Sequence, residues 1–419
     1  MIQEHGKETD LMLHTATGAI LVLNAGSSSV KFALFSEGGV HASRLVSGEL
    51  EGIGEKPRLI ARGEKAEILV DQELTPDARE NAHDTAIKAL IAWLEAHLGL
   101  ETLRAVGHRV VHGGPDFVSP VLIDDDVLAR LDKMTSFAPL HQPGCLAPIH
   151  ALQRIYPDLP QIACFDTAFH RTMPAVAQNL PLPCSYAEKG IRRYGFHGLS
   201  YEHIARYLGS KHHNLARARV LAAHIGNGAS LCALRHGVSI DTTMGFSVLD
   251  GLVMGTRTGA IDPGVLLYML REEQLSPQEI ENLLYHKSGL LGVSGRAGDM
   301  RTLREHPYDP AVRMALDLAV YRFVQQAGGM IAALQGLDGI VFTGGIGEHD
   351  AQFRRDVCAH LAWLGVTIDV AANAVHRPLI SAPESTVKVL VIPADEELSI
   401  HRHVLACIGD DAVSEPVRN

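Results

Sequence analysis

Two segments of the chain share one pattern of positions: an apolar run, a short turn rich in Gly, Ser or Asn, and a second apolar run. The first reads AILVLNAGSSSVKFALF and the second VLAAHIGNGASLCALRHGVSI. Each predicts a buried strand, a tight turn and a second antiparallel strand. Gly26 aligns with Gly226 and Leu34 with Leu234, an offset of 200 residues in both cases. This suggests a duplicated hairpin, although Gly-rich hairpins also resemble one another by chance.

Apolar residues at helical spacing mark two long segments. In residues 83–99 they recur three or four positions apart, with Asp84 or Thr85 available as an N-terminal cap and a glycine at the end. A second helix is predicted from about Asp309, with proline in its first turn, towards Gly328.

Strands that alternate with helices complete the pattern. LRAVGHRVV reads as a strand, GIVFTGGIGEH as a strand and turn before a helix near Asp350, and VKVLVIP as a strand before the helix DEELSIHRHVLACIG. This alternation predicts an α/β fold, and the two early hairpins predict mixed rather than purely parallel sheets.

Composition narrows the class of protein. The 419 residues are 46% hydrophobic and 20% charged, which is typical of a globular chain of two or three domains. The net charge of −11 argues against a nucleic-acid or anionic-membrane binder. No apolar run approaches the roughly 18 residues of a membrane span, and the start lacks an apolar signal region, so we expect a cytoplasmic protein. Residues 1–17 are polar and aperiodic; we expect a disordered extension there, and Met12 is an alternative start.

Cysteine and histidine give no metal signature. The six cysteines form no CxxC motif and read as reduced structural thiols, and the 23 histidines are scattered without an HExxH motif.

The first turn, NAGSSSVK, has the chemistry of a phosphate site. Its short residues let the backbone approach a phosphate, Ser27 and Ser29 add hydroxyl groups, Asn24 offers an oxygen towards a hydrated metal, and Lys31 adds charge. An ordinary tight turn is the simpler interpretation, and the Walker pattern is absent.

Further glycine-rich motifs carry candidate groups. FTGGIGEH places the backbone N–H groups of Gly344, Gly345 and Gly347 before a helix, where they can hold phosphate or lie against an adenosine. GHRVVHGG, RRYGFHGLS, AHIGNG and GTRTGAIDPG supply histidines and two arginines, Arg109 and Arg257, whose guanidinium groups match phosphate or carboxylate. Each histidine alone is more often structural, and each arginine can instead form an interdomain salt bridge.

The acidic candidates lie at element ends. Asp166 ends a predicted strand, where α/β folds place metal and nucleophile contacts. Glu396 lies in the first turn of a helix, which it also stabilises through the helix dipole. Asp299 and Arg301 form a third pair.

Taken together and in order, these motifs resemble the acetate kinase family over residues 19 to about 405. The resemblance implies two duplicated actin-like (ribonuclease H-like) domains, expected at 18–167 plus 398–419 and at 168–397, with an active-site cleft between them. It implies a homodimeric kinase that transfers the γ-phosphoryl group of ATP to acetate, giving acetyl phosphate and ADP, with Mg²⁺ or, in its place, Mn²⁺.

By this resemblance, each matched residue takes a role. The expected catalytic residues are Asp166, His197, Arg257 and Arg109. The residues expected to bind the metal are Asn24 and Glu396. The acyl pocket is formed by Arg109, Val111, Leu140, Phe196 and Val248. The nucleotide is bound by Lys31, His224, Asn227, Gly228, Asp299, Met300, Arg301, Gly344, Gly345, Ile346 and Gly347.

The chain departs from the family pattern at a few positions. Val248 stands where the family often has Pro, which leaves propionate or butyrate open as the substrate. Three further positions differ: the family pattern has Asp where this chain has Ala260, and Asn where it has His349 and Asp395. Of these, the change at His349 affects nucleotide binding most directly. Two further function classes are a nucleotide-gated protein without catalysis and a sugar or polyol kinase. The matched apolar pocket and paired arginines argue against both.

Charge is the main obstacle for the proposed chemistry. A small carboxylate is already ionised at neutral pH, so it requires no general base, and we assign Asp166 to alignment. An anionic nucleophile that approaches a phosphate is repelled by about 4 kcal/mol per charge pair at about 4 Å and an effective dielectric near 20. Cations must cancel this repulsion.

Overall fold

The structure is a computed structural model that describes residues 18–26, 29–36, 42–53, 56–75, 82–98 and 103–409. The expected extension at 1–17, the hydroxyl of Ser27 and the helix end at Gly99 lie outside the described residues. The chain forms two compact units. The first comprises the described residues within 1–111, 119–164 and 397–419, and the second comprises 112–118 and 165–396. The segment 112–118, placed in the first domain from the sequence, packs with the second unit.

Thirteen strands are found in the described part of the chain. In chain order they are β1 (Ala19–Ala25), β2 (Val30–Phe35), β3 (Arg44–Glu51), β4 (Arg58–Gly63), β5 (Ile68–Glu73), β6 (Leu103–Val110), β7 (Val121–Leu122), β8 (Gln161–Phe165), β9 (Arg219–Ile225), β10 (Ala229–Arg235), β11 (Val238–Thr242), β12 (Gly339–Thr343) and β13 (Lys388–Val391).

The strands form two mixed sheets with a common plan. One sheet has the order β5-β4-β3-β2-β1-β6-β8-β7 and the other β11-β10-β9-β12-β13. In each, a hairpin is extended by a third antiparallel strand, and its first strand pairs in parallel with a later one: β1 with β6, β9 with β12. The shared order β3-β2-β1-β6-β8 and β11-β10-β9-β12-β13 confirms the predicted duplication and the mixed α/β class.

Sixteen α-helices accompany the sheets in the described residues. They are α1 (Ala82–Leu98), α2 (Asp125–Lys133), α3 (Gln142–Ile155), α4 (Ala175–Gln178), α5 (Cys184–Glu188), α6 (Gly198–Lys211), α7 (His213–Ala216), α8 (Pro263–Arg271), α9 (Pro277–His286), α10 (Gly289–Ser294), α11 (Met300–Arg304), α12 (Pro310–Leu334), α13 (Gly344–His349), α14 (Ala351–His360), α15 (Val370–Ala374) and α16 (Glu396–Gly409).

Two predicted helix ends are wrong. Helix α1 begins at Ala82, so Asp84 lies in the first turn, where it pairs with Arg154, and does not cap the helix. Helix α12 continues past Gly328 to Leu334, because Met330 and its neighbours Ile331 and Leu334 are buried by tertiary packing. Burial of an apolar face outweighs the cost of about 1 kcal/mol for a glycine inside a helix.

Each unit has its own apolar core. In the first, the buried faces of the β1–β2 hairpin pack with α1, with Leu21, Phe32, Leu90 and Leu94 among the members. In the second, α6 contributes Tyr201, Ile204 and Leu208 against buried residues of β9, β10, β12 and β13. The strands of each hairpin therefore pack on an apolar core.

The cysteines form no disulfide bonds in the described part of the chain. All six are free, as predicted. Among the same residues, no helix combines the length and apolar composition that a membrane crossing needs.

Candidate active site

In the first unit, the β1–β2 turn and β6 bring three candidate residues together. Asn24, the last but one residue of β1, lies opposite Lys31 on β2, so both side chains share one face of the hairpin. Strand β6 runs parallel beside β1, and the Arg109 guanidinium donates to Asn24 Oδ1 at 3.3 Å. The turn is closed by a hydrogen bond from Gly26 N–H to the Ser29 carbonyl at 2.8 Å. Two cationic side chains and one amide therefore lie on the strands next to this turn.

Two of the predicted acyl-pocket residues also belong to this unit. Val111 follows β6 directly and is buried, and Leu140 is half-buried two residues before α3.

In the second unit, two histidine rings are stacked at the end of the second hairpin. The rings of His197 and His224 lie 4.2 Å apart between centroids, with 19° between their planes. His197 precedes α6 and has a left-handed backbone, with φ of 58°. His224 comes from β9, and Ser200 Oγ lies 2.8 Å from its Nδ1.

Gly228 lies next to two polar side chains of the second unit, His197 and Arg257. A Cβ placed there would lie 3.2 Å from His197 Nε2 and 3.8 Å from an Arg257 guanidinium nitrogen. Arg257 is itself anchored, because it donates to the Val248 carbonyl at 3.0 Å. A side chain at position 228 would occupy the space that these two groups face, which makes glycine the fitting residue for a site that admits an anion.

Val248 therefore serves the site in two ways. Its side chain is buried, as expected for a pocket wall, and its main-chain carbonyl holds Arg257. The carbonyl is present whichever residue occupies the position, so the exchange of Pro for Val leaves this anchor in place.

Asp166 lies directly behind the start of α6. It follows β8, is buried, and its carbonyl accepts the N–H of Gly198 at 3.0 Å. The approach is so close that a Cβ on Gly198 would clash with that carbonyl oxygen. Phe196, two residues earlier, is buried against the ring of His112, 5.5 Å away edge to face.

A cavity of about 720 Å³ in the second unit contains most of the predicted nucleotide residues. Predicted members in its wall are Asn227, Asp299, Met300, Arg301, Gly345 and Ile346, and the additional ones are Gly226, Gly298, Arg304, His349 and Asp350. Its size suits a drug-sized or nucleoside-sized ligand. His349, the departure from the family pattern, thus lies in this wall.

Two of the residues predicted to bind the nucleotide form hydrogen bonds within the protein itself. Asp299 caps α11 by accepting from Thr302 N–H at 2.8 Å, and this hydrogen bond lowers the pKa of the carboxyl. The N–H of Gly344 donates to Glu348 Oε1 at 3.0 Å, which corrects the expectation that this group offers itself to phosphate. Gly347, together with Gly344, lies outside the wall of the cavity.

Glu348 is a residue that sequence reasoning missed. Its Oε1 accepts both from Gly344 N–H and, at 2.9 Å, from Ala394 N–H. One carboxylate oxygen therefore ties the turn after β12 to the segment that leads to Glu396. The letters GIGE alone do not indicate this bond, because its second partner is distant in sequence.

Arg354 is a second missed residue. It is completely buried, donates to the carbonyls of Gly347 and Glu348 at 2.8 and 2.7 Å, and bonds Asn373 through the side chain and the main chain. A buried guanidinium is costly unless its donors are satisfied, and here they hold the C-terminal end of α13 in position. His376 Nδ1 faces another nitrogen of this guanidinium at 2.9 Å, and as an acceptor it must be unprotonated.

The metal prediction rests on hard oxygen donors. Glu396 is the first residue of α16 and is half-buried. No group of three or more His, Cys, Asp or Glu suited to a metal occurs among the described residues. Mg²⁺ keeps several waters and usually takes one or two protein oxygens together with substrate phosphates. The Asn24 amide oxygen and the Glu396 carboxylate are donors of that kind.

Three deeply buried histidines adjoin the candidate residues. Burial lowers the pKa of His108 to about 3 and those of His112 and His170 to about 4. His112 Nδ1 accepts the N–H of Gly114 at 2.8 Å, and His170 bonds Ser239 Oγ and the Phe196 carbonyl. They are neutral structural residues, as the simpler interpretation of a lone histidine predicts.

Comparisons with known proteins show the family of the chain. Residues 19–402 match the model of the Acetokinase family. An acetate kinase of Nitrobacter hamburgensis is 50% identical over 94% of this chain and 98% of the relative. A crystal structure of a propionate kinase from Francisella tularensis superposes with a TM-score of 0.85 at 37% identity, over 92% of this chain and 99% of that one.

A crystal structure of Porphyromonas gingivalis acetate kinase gives a TM-score of 0.83 at 35% identity, over 94% of this chain and 100% of that one. Relatives of this similarity and coverage share the fold. With its duplicated sheets and its His197, Gly228 and Arg257 cluster, the chain belongs to the Acetokinase family.

Proposed function

We propose that the protein is an acetate kinase, which transfers the γ-phosphoryl group of ATP to acetate and gives acetyl phosphate and ADP. The observation that carries this proposal is the convergence of His197 Nε2 and the Arg257 guanidinium on Gly228. A site with two such donors and no side chain in front of them suits a phosphoryl group. The 50% identity to a named acetate kinase supports acetate as the acceptor.

In the proposed step a carboxylate oxygen of acetate attacks the γ-phosphorus. A P–O bond forms there while the bond to the bridging oxygen breaks, and the electron pair of that bond leaves with ADP. No proton moves, because the acceptor is already ionised. The work of the protein is positioning and charge neutralisation.

This chain's residues fill distinct roles in that step. Arg257 and Arg109 neutralise negative charge, His197 donates to the phosphoryl oxygens, and Asp166 supports the start of α6 that carries His197. The adenosine occupies the 720 Å³ cavity. Asn24 and Glu396 are the residues that would hold Mg²⁺, which supplies further positive charge when bound.

Propionate is the second candidate acceptor. The propionate kinase from Francisella tularensis has a closely similar fold, and the buried Val248 stands at a position that the family often fills with proline. A propionate kinase would share every phosphate-binding residue, so only the apolar walls distinguish the two. A sugar kinase and a nucleotide-gated protein lack comparable support, and the cytoplasmic location stays a prediction.

Trapping of the acyl phosphate as hydroxamate tests the function. The full chain is incubated with ATP, Mg²⁺ and hydroxylamine, and in parallel with graded acetate, propionate or butyrate. We expect the highest kcat/KM with acetate. A clear preference for propionate or butyrate would change the substrate and keep the mechanism, whereas no product with any acid would refute the proposed activity.

We also propose a homodimer formed through α8. This helix has no buried residue, and Ile261, Val265, Leu267, Tyr268 and Leu270 are exposed on it and just before it. Contiguous exposed apolar surface of this kind marks an interaction site. A second copy of the chain is the partner expected from the family resemblance.

Light scattering after size-exclusion chromatography tests the dimer. We expect twice the 45.3 kDa chain mass for the unmodified protein and a single chain mass for Leu267→Asp combined with Tyr268→Asp. Trp363→Ser is the control, because Trp363 is 77% exposed on a different segment of the same unit. A dimer that survives the α8 changes would place the interface elsewhere.

A further inference from the structure

The ring of His197 is held by a chain of hydroxyl groups that no catalytic assignment includes. Its Nδ1 lies 2.9 Å from Ser230 Oγ, and Ser230 Oγ lies 2.5 Å from the phenol oxygen of Tyr201. Ser230 and Tyr201 are completely buried. The chain His197–Ser230–Tyr201 is thus shielded from water on the side away from Gly228.

The direction of the hydrogen bonds follows from Tyr201. Burial raises the pKa of its phenol well above the usual value, so the hydroxyl keeps its hydrogen. The phenol oxygen also interacts with the main chain of His224. Ser230 Oγ is the other hydrogen-bond partner of the phenol, so we assign the phenol hydrogen to this bond. A serine oxygen that accepts from Tyr201 still has its own hydrogen to donate. Its second partner is His197 Nδ1.

We propose that Ser230, supported by Tyr201, is a positioning residue that keeps His197 in the neutral tautomer with the proton on Nε2. In this tautomer Nδ1 accepts from Ser230 and the Nε2–H points at Gly228. The second nitrogen of a histidine is commonly fixed in this way by the bond that the first one makes. The inference rests on the proposed function only for the role of the Nε2–H in phosphoryl transfer.

Helix α6 supplies matched supports for both stacked rings. Ser200 Oγ bonds His224 Nδ1 directly, and the next residue, Tyr201, reaches His197 through Ser230. The support also explains how the left-handed backbone of His197 is tolerated. A non-glycine residue at φ of 58° is uncommon, and it persists where surrounding contacts over-determine it.

The first readout is the tautomer of His197, measured by ¹⁵N NMR on the full chain with ¹⁵N-labelled histidine. His197→Asn assigns the signals. We expect the unmodified protein to show a protonated Nε2 and an unprotonated Nδ1. Ser230→Ala removes the donor to Nδ1, so we expect a mixture of tautomers, and Ser230→Thr, which keeps the hydroxyl, restores the single form.

The second readout is kinetic. Ser230→Ala is expected to lower kcat by about tenfold to a hundredfold with little change in the KM for ATP or acetate, because misorientation affects the transition state more than binding. Thr242→Val is the matched control: its buried hydroxyl bonds the Leu231 carbonyl on the neighbouring strand, and its loss leaves the tautomer and kcat unchanged.

Two results overturn the proposal: a proton on Nδ1 in the unmodified protein, or an unchanged tautomer in Ser230→Ala. Should Ser230→Ala fail to fold, Tyr201→Phe carries the same test, since it removes the hydrogen that orients Ser230. The NMR readout needs no turnover. A protein that makes no acyl phosphate yet shows the predicted tautomer would therefore refute the proposed function and leave the positioning role standing.

Discussion

Replacing Arg257 with alanine is expected to lower kcat by a hundredfold or more. The guanidinium faces Gly228 together with His197 Nε2, where the phosphoryl group is proposed to lie. Repulsion between two unit charges at about 4 Å is about 4 kcal/mol at an effective dielectric near 20, which is nearly three decades in rate. Removing one of the few cations that offset it should therefore affect the transition state first.

Steady-state kinetics with acetate and ATP measure this effect, and two variants isolate its cause. Arg257→Lys keeps the positive charge but loses the planar guanidinium, which can form two parallel hydrogen bonds, so we expect an intermediate kcat. Arg235→Ala removes a guanidinium that donates to the carbonyls of Ala333 and Leu334, away from the site, and should leave kcat unchanged. A raised KM with unchanged kcat for Arg257→Ala would assign the arginine to binding only.

Much of the fold was predictable because its signals are local. Each hairpin is encoded by apolar runs on both sides of a glycine-containing turn, and both formed as predicted. Strands β3, β4 and β5 were not predicted. Only Val46 and Leu50 are buried in β3, the apolar Ile60 lies between the two buried residues of β4, and β5 has no buried residue. Their sequences therefore lack the alternation of apolar and polar residues that marks a half-buried strand. Each forms by hydrogen bonding to the strand before it in the chain.

The site likewise contains residues that the sequence predicts and residues that it does not. His197, His224, Gly228 and Arg257 belong to motifs with distinctive residue types, and the structure brings them together as expected. Their supports were beyond sequence reasoning. Ser230, Tyr201, Glu348 and Arg354 act through bonds to partners that tertiary packing supplies. A serine or an arginine at such a position has no sequence signal of its own.

Acid is expected to destabilise the protein steeply, before its carboxylates titrate. His108, His112 and His170 are buried and neutral, with pKa values of about 3, 4 and 4 because burial disfavours the charged ring. In the unfolded chain the pKa of each ring is about 6.5. Below that pH the unfolded state binds protons that the folded state does not bind. The free energy of unfolding is therefore highest above about pH 6.5 and falls as the pH is lowered.

The three buried histidines add together in the expected slope. Each contributes up to about 1.4 kcal/mol per pH unit to the free energy of unfolding, so the three together contribute up to about 4 kcal/mol per pH unit. His83, His376 and His401 act in the same direction, because burial lowers their pKa values as well. Urea unfolding followed by circular dichroism between pH 7 and 5 measures the slope.

His170→Gln is the variant that decides the cause of this acid sensitivity. Glutamine can still bond Ser239 Oγ or the Phe196 carbonyl, which His170 bonds now, and it cannot take up a proton. We expect lower stability at pH 7 but a slope smaller by about 1.4 kcal/mol per pH unit. A slope that stays the same would mean that the ring already accepts a proton in the folded protein. In that case its burial between α6 and the second sheet would not be the source of the acid sensitivity.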